Sequence, residues 1–356
     1  MRHNQLEFFN AAEVEESRCG VRMYRFPRAV CDAMGATLKD GENKFGRYVS
    51  QTTTGCEIRF VTDGDRARIA LTSLDYNGYV QVFCGDFAYY EGYTYQFPVQ
   101  RDRVTIIELK RPKLLDTMNP ALQQVSFAPQ VWRIMSGINM TLAMVDFEGF
   151  GFNVRPPKPE EVPAKTLLCY GTSLTFGACA NAHGIAYVQL LGRLLGCNIM
   201  NKAMGGSCMN EPGVADYFAS GQEHFNSVLL ENGVNMSGSG DLYRERTSYL
   251  LKKLTKAYPN MPIYCVTAYP NQFNIVGDCP VPCLKDTNNP EARYQNDRII
   301  REIVKEYPSC KLIEGAEMMD HSTDLTIDGI HLSDYGHIRV AQNLAKRIEL
   351  SEIYHE

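Results

Sequence analysis

Leu167-Leu168-Cys169-Tyr170-Gly171-Thr172-Ser173-Leu174-Thr175-Phe176-Gly177-Ala178 is the stretch whose reading decides the fold. Leu167 to Tyr170 suit a buried strand, the run stops abruptly at Gly171, and a hydroxyl follows at Ser173. A second glycine, Gly177, permits another turn before residues 184–195, where leucines and a valine recur at helical spacing. A serine placed where a strand hands over to a helix stands at the carboxyl end of a sheet, where open α/β folds keep their sites.

Downstream, strand-like and helix-like segments alternate. Strands are expected near 167–170, 198–202, 227–230, 263–267 and 311–314, with helices near 184–195, 212–220, 241–257, 290–306 and 334–350. Such alternation calls for a parallel sheet with helices on both faces, an α/β fold. Residues 269–289 interrupt it as a long, proline-containing loop of the functional or mobile kind.

Upstream, Arg155-Pro156-Pro157-Lys158-Pro159-Glu160-Glu161-Val162-Pro163 can neither pair in a sheet centre nor continue a helix. It divides the chain into 1–154, a linker at 155–164, and 165–356. The first part reads as an all-β, jelly-roll-like sandwich. Residues 57–61 and 67–71 flank a hairpin turn at Asp63-Gly64-Asp65, and Asn77-Gly78 gives a second hairpin signal before 79–83. Further strands are expected at 104–109, 131–135 and 140–147. The run 87–97, with Tyr89, Tyr90, Tyr93 and Tyr95, reads as a half-buried strand in preference to a sugar-stacking platform, and Trp132 reads as core.

A chain of 356 residues has material for two cores. A net charge of -5, with cations scattered rather than patched, argues against nucleic acid or an anionic membrane as partner. No apolar run reaches membrane-spanning length. The first residues lack a signal-peptide core, so a cytoplasmic location is expected, although a chain trimmed of a leader would read the same way. Several of the 12 cysteines (Cys169, Cys197, Cys265) sit in apolar runs and read as reduced thiols. Cys279 and Cys283 have no second pair and read as ordinary loop cysteines, so neither metal nor cofactor is expected. His183, His224 and His321 read as surface or capping residues.

A serine hydroxyl needs a base, and the base needs a group that holds its tautomer. Ile327-Asp328-Gly329-Ile330-His331-Leu332-Ser333-Asp334-Tyr335-Gly336-His337 offers two Asp-x-x-His pairs. Asp328 and His331 precede a helix capped by Ser333, where both side chains can face the sheet's carboxyl edge. Asp334 is accounted for by the helix dipole and His337 by packing. Acyl transfer also needs donors for a developing oxyanion. Asn201 to Ser207 and Glu231 to Met236, after the second and third strands, stand at the same edge as Ser173.

Gly171-Thr172-Ser173-Leu174, Gly206, Asn235 and Asp328-Gly329-Ile330-His331 resemble, in order, the four sequence blocks of the SGNH (GDSL-like) hydrolases. The resemblance covers about residues 165–350 and implies a three-layer α/β/α, flavodoxin-like sheet. It implies Ser173 as nucleophile, His331 as base and Asp328 as its partner, with Ser173, Gly206 and Asn235 forming the oxyanion hole. Gly205 competes with Gly206, and the spacing after Asn201 favours Gly206. Thr172 and Met236 depart from the aspartates usual in the first and third blocks, although neither position carries a proton. Tyr170 to Ala180 resembles the two-domain branch that joins a β-sandwich to the hydrolase and is similar to carbohydrate deacetylases. The expected activity is a serine esterase removing O-acetyl groups from carbohydrates, with a small-molecule or oligosaccharide acyl ester as substrate. Acyl transfer, longer-chain lipase or thioesterase activity, or a carbohydrate-binding role without catalysis are the alternatives. Self-association into a homo-oligomer is left open.

Overall fold

The structure, a computed structural model, describes residues 1–3, 5–34, 44–118, 125–271 and 290–353. Cys279, Cys283 and residues 272–289 of the expected long loop lie outside the described residues.

Five strands form an all-parallel sheet in the order Cys197–Asn201, Lys165–Gly171, Ser227–Glu231, Ile263–Val266, Cys310–Ile313. That is the 2-1-3-4-5 order of flavodoxin-like sheets, with the order reversing beside the first strand. Side chains alternate between the two faces with period two. Leu168, Tyr170, Val228, Leu230, Ile263 and Cys265 pack with helices Pro212–Phe218, Gly240–Ala257 and Pro290–Val304. Leu167, Cys169, Leu229, Tyr264 and Val266 face helices Tyr187–Leu195 and Asp334–Ile353. Both faces are therefore buried, which is why the strands read as unbroken apolar runs.

Residues up to Arg155 form two antiparallel sheets of eight and five strands. Ile58, Phe60, Val82 and Ile134 from one share a core with Ile69, Leu71, Ile107 and Leu142 from the other, and Trp132 is buried among them. The two expected hairpins are corrected. Glu57–Thr62 and Arg66–Ser73 belong to different sheets, as do Arg66–Ser73 and Gly78–Cys84, so each turn is a corner between sheets. The turn side chains brace other loops: Asp63 accepts from the Asn153 backbone and amide at 2.8 and 2.6 Å, and Asn77 accepts from the Arg101 N–H at 2.8 Å. Turn chemistry specifies a reversal of the chain and leaves open which strand pairs with which.

Residues 87–97 are not one half-buried strand. Only Phe87–Tyr89 and Gln96–Val99 are extended, and Tyr93 stands 99% exposed with φ of 65°. Strands Leu6–Phe9, Glu13–Ser17 and Gly20–Tyr24, and helices Arg28–Ala33 and Lys44–Gln51, escape the sequence reading. Glu13–Ser17 is a sheet edge, where charge replaces apolar alternation.

Buried cations tie the antiparallel part to one parallel strand. The Arg25 guanidinium donates to the carbonyls of Val49, Thr52, Asn201 and Ala203 at 2.6, 2.9, 3.2 and 2.8 Å. Burial pushes its pKa down to about 10. Lys202 Nζ donates to the Arg25 carbonyl and to Glu223 Oε1, the latter at 2.8 Å, and Asn10 Nδ2 donates to the Asn201 carbonyl at 3.1 Å. The carboxyl end of Cys197–Asn201, which leads into Gly206, is thus held from outside its own sheet. The ten cysteines among the described residues are free thiols, and no helix among those residues is long and apolar enough to cross a membrane.

Candidate active site

Strand Lys165–Gly171 ends on a glycine because a side chain at 171 would meet Thr175 Oγ1 at 2.3 Å and the Glu231 carbonyl at 2.6 Å, both part of the turn that follows. Thr172 is extended and caps helix Ser173–Phe176, its hydroxyl accepting the Leu174 N–H at 3.4 Å. Gly177 closes the helix in the left-handed conformation, and the Ser173 carbonyl accepts from Gly177 and Ala178. This single turn fixes Ser173 at its first position.

Glu231, at the carboxyl end of the neighbouring strand, lies beneath the turn. Its Oε2 accepts the Thr172 N–H and hydroxyl and the Thr175 hydroxyl at 3.1, 2.7 and 2.9 Å. Burial raises its pKa against the pull of those bonds. Thr172, which departs from the aspartate usual in the block it resembles, therefore gives the turn a hydroxyl that this buried carboxyl holds.

His331 reaches the site from the loop before helix Asp334–Ile353. Its Nε2 is 3.0 Å from Ser173 Oγ and its Nδ1 is 2.7 Å from Asp328 Oδ2. Asp328 Oδ1 accepts the Thr326 hydroxyl and the N–H groups of Ile330 and His331 at 2.7, 2.8 and 3.0 Å. Partial burial pushes this carboxyl up, but the His331 ring and the other donors overcome it and hold it well below the usual carboxylate range. An ionised Asp328 is acceptor-only, so Nδ1 carries the imidazole proton and Nε2 is free to accept from Ser173. Gly329 has φ of +65°, the Thr326 N–H donates to the His331 carbonyl at 2.8 Å, and the Ser333 hydroxyl caps the helix through the Gly336 N–H at 3.3 Å. The geometry suits proton transfer from Ser173 to an oriented imidazole.

The expected donors stand at the same edge. Gly206 follows strand Cys197–Asn201 with φ of +67°. The positive φ favours glycine, and a side chain there would also press on the Phe45 ring at 3.0 Å. Asn235 lies in the short helix Val234–Met236 after strand Ser227–Glu231. Its Oδ1 accepts the Cys208 N–H at 3.1 Å, which fixes the amide and leaves Nδ2 as the free donor. Cys179, Asp328 and His331 also bring ligand atoms within 4.8 Å of one another. Asp328 and His331 already bond each other there, and His331 bonds Ser173, an orientation suited to a base.

The second pair does not join the site. His337 is buried, accepts the Tyr187 N–H at Nδ1 over 3.2 Å, and stacks on the Tyr187 ring. Asp334 accepts from the Asn181 backbone and amide at 3.0 and 2.6 Å. His183 is corrected from a surface residue to a fully buried one, while His224 and His321 are exposed. Burial depresses His183 to about 3 and His337 to about 4. An unfolded chain protonates both near pH 6.5, so the folded state loses about 1.4 kcal/mol per imidazole for each pH unit below that, until its own pKa is reached. The melting temperature is expected to fall between pH 7 and 5, and to fall less in His183→Gln. An equal drop in the two proteins rules out His183 as a source.

The sequence gives weak signals for the supporting residues. Glu231 is an acid ending an apolar run, and Arg25 and Lys202 are cations among apolar neighbours, signs of buried partners whose identity no local pattern shows.

A model of the GDSL-like lipase/acylhydrolase family matches residues 164–349. No curated protein matches the chain in a sequence search. Among solved structures, the salicylyl-acyltransferase SsfX3 from a tetracycline biosynthetic pathway is 12% identical, with 98% of this chain and 95% of that chain covered at a TM-score of 0.75. A family two carbohydrate esterase from Cellvibrio japonicus is 11% identical over 99% of this chain and 97% of its own, with a TM-score of 0.64. Another from Clostridium thermocellum, in complex with cellohexaose, is 14% identical over 84% and 93%, with a TM-score of 0.60. At such identities the likeness is one of fold, and it spans both the antiparallel and the parallel parts.

Proposed function

Since the chain belongs to the GDSL-like lipase/acylhydrolase family, we propose that it is a serine esterase that removes O-acetyl groups from carbohydrates through an acyl-enzyme. The observation that carries this reading is the relay from Ser173 Oγ to His331 Nε2 at 3.0 Å and from His331 Nδ1 to Asp328 at 2.7 Å. Ser173 Oγ attacks the ester carbonyl as His331 Nε2 takes its proton. The oxyanion is held by the N–H groups of Ser173 and Gly206 and by Asn235 Nδ2. Collapse breaks the bond to the alcohol oxygen, which leaves with the proton from His331. Water then attacks the acyl-enzyme by the same route and releases acetate. The carbohydrate substrate is supported by the whole-chain fold shared with family two carbohydrate esterases.

The test is a panel of acetylated mono- and oligosaccharides beside alkyl esters of rising chain length, with acetate release mapped by position. Preferential release from sugar acetates is expected. A preference for long acyl esters overturns the deacetylase reading, and an acetyl group found on an added acceptor instead of free acetate identifies a transferase. Asn235→Ala is expected to lower kcat on an acetyl ester by about a hundred- to a thousandfold, the usual effect of losing one oxyanion donor. Unchanged turnover in that variant removes Asn235 from the site.

A further inference from the structure

Three aromatic rings of the antiparallel part form a row that begins over the Gly206 turn. The Phe45 ring edge lies 3.0 Å from where a Gly206 Cβ would stand. Phe45 and Tyr48 have centroids 6.4 Å apart with a tilt of 34°, and Tyr48 and Tyr76 meet edge to face at 5.9 Å. Phe45 and Tyr76 remain 54% and 60% exposed, so the fold leaves apolar ring surface in water directly beside the proposed oxyanion donor. The row is also held in place. The single Tyr48 hydroxyl proton is shared between Asp75 Oδ2 and the Asn139 carbonyl, at 3.4 and 3.3 Å. Asp75 in turn accepts the N–H groups of Tyr76 and Thr141 at 2.7 and 2.8 Å and the Thr141 hydroxyl at 2.6 Å.

We propose that Phe45, Tyr48 and Tyr76 form the subsite for the sugar that carries the scissile ester. A pyranose has flat C–H faces that cover aromatic surface and a rim of hydroxyls that needs polar neighbours. The exposed rings of Phe45 and Tyr76 offer the first, and the hydroxyl of the exposed Tyr76 offers the second. An acyl chain is apolar on every side and calls for an enclosed groove, whereas Phe45 and Tyr76 present more than half of their surface to solvent. The antiparallel part thus supplies recognition and the parallel part the chemistry. The inference rests on the esterase reading above, since it places the row on the alcohol side of the ester.

The experiment uses the full chain as wild type, Tyr76→Ala and Tyr93→Ala. Binding of cellohexaose and xylohexaose is followed by calorimetry, and acetate release is compared between acetylated xylo-oligosaccharides and ethyl acetate. Tyr76→Ala is expected to weaken oligosaccharide binding about tenfold and to lower the ratio of kcat/KM on the sugar ester to that on ethyl acetate by a similar factor, with the melting temperature retained. Tyr93, at the exposed hairpin tip and in no ring pair among the described residues, is expected to leave both unchanged. A wild type that binds neither sugar overturns the proposal. So does a Tyr76→Ala variant with unaltered binding and ratio, an equal loss on both substrates, or a shift produced by Tyr93→Ala instead. If the wild type binds sugar through Tyr76 but cleaves no sugar ester, the esterase reading fails and the row stands.

Discussion

Ser173→Ala is expected to lower kcat on an acetyl ester by about ten-thousand- to a millionfold while the protein stays folded. The size of the effect follows from the role proposed for the hydroxyl: in that mechanism no acyl-enzyme forms without it, and only the remaining donors and substrate positioning act on direct attack by water. The side chain is otherwise dispensable. Its Oγ bonds only the His331 ring among the described residues, and the turn is held by Thr172, Gly177 and the Ser173 backbone. The melting temperature should therefore stay close to that of the wild type. His331→Ala should cost about as much, and the double variant should be little worse than either, because the two residues act in one proton transfer. Burst kinetics on a chromogenic acetyl ester check both statements. Persistence of wild-type turnover in Ser173→Ala, or multiplicative losses in the double variant, would remove the covalent route.

The parallel sheet is legible in the sequence because each strand is a short, largely apolar run, and four of the five meet a glycine, an amide or a charge at the carboxyl end, Ile263–Val266 running instead into Thr267. All five expected strands and all five expected helices of that part occur with ends shifted by a few residues. Ser173, Asp328 and His331 are legible for a related reason. Each stands in a compact motif whose backbone geometry is local, and the structure brings them within hydrogen-bond distance. What escapes the sequence is long-range. Glu231 meets Thr172 across the sheet, Arg25 meets Asn201 over 176 positions, and Phe45 covers Gly206 from another part of the chain. No periodicity records such contacts. The same limit explains the misread turns at Asp63-Gly64-Asp65 and Asn77-Gly78, where the residues mark a reversal and the sheet that receives the next strand is chosen by packing.

These long-range contacts converge on the two strand ends beside the switch point. Glu231 holds the nucleophile turn from below, while Arg25 and Lys202 hold the strand that leads into Gly206. Alignment of the proposed oxyanion donor with Ser173 must hold to a fraction of an ångström, and loops alone position groups less well than braced strand ends do. In the proposed site the antiparallel part therefore braces the strand that leads into Gly206.

Asp328→Asn is expected to lower kcat by about a thousand- to ten-thousandfold near neutral pH, through the tautomer of His331. In the native site Oδ1 takes three donors and Oδ2 takes the imidazole N–H. An asparagine that keeps its oxygen toward Thr326, Ile330 and His331 N–H turns its NH₂ toward Nδ1. Donor then faces donor unless the imidazole moves its proton to Nε2, where it points at Ser173 Oγ and no longer accepts. The opposite orientation turns the NH₂ against three donors at once and is the costlier one. The carboxylate's charge is lost in either case, so the imidazolium formed during attack is also less stable. Asp328 is 43% exposed at its side chain, so in Asp328→Ala water can reach Nδ1 and accept a hydrogen bond from its N–H. Alanine should therefore damage the enzyme no more than asparagine does, an order opposite to that expected from similarity of shape. The depressed pKa of Asp328 adds a further expectation: the carboxylate stays ionised well below the pH range of the assay, so it contributes no acid limb to the wild-type rate between pH 5 and 8. Steady-state kinetics of the two variants across that range decide the point. An Asp328→Asn enzyme within tenfold of wild type, or one clearly better than Asp328→Ala, means that His331 takes its orientation from elsewhere.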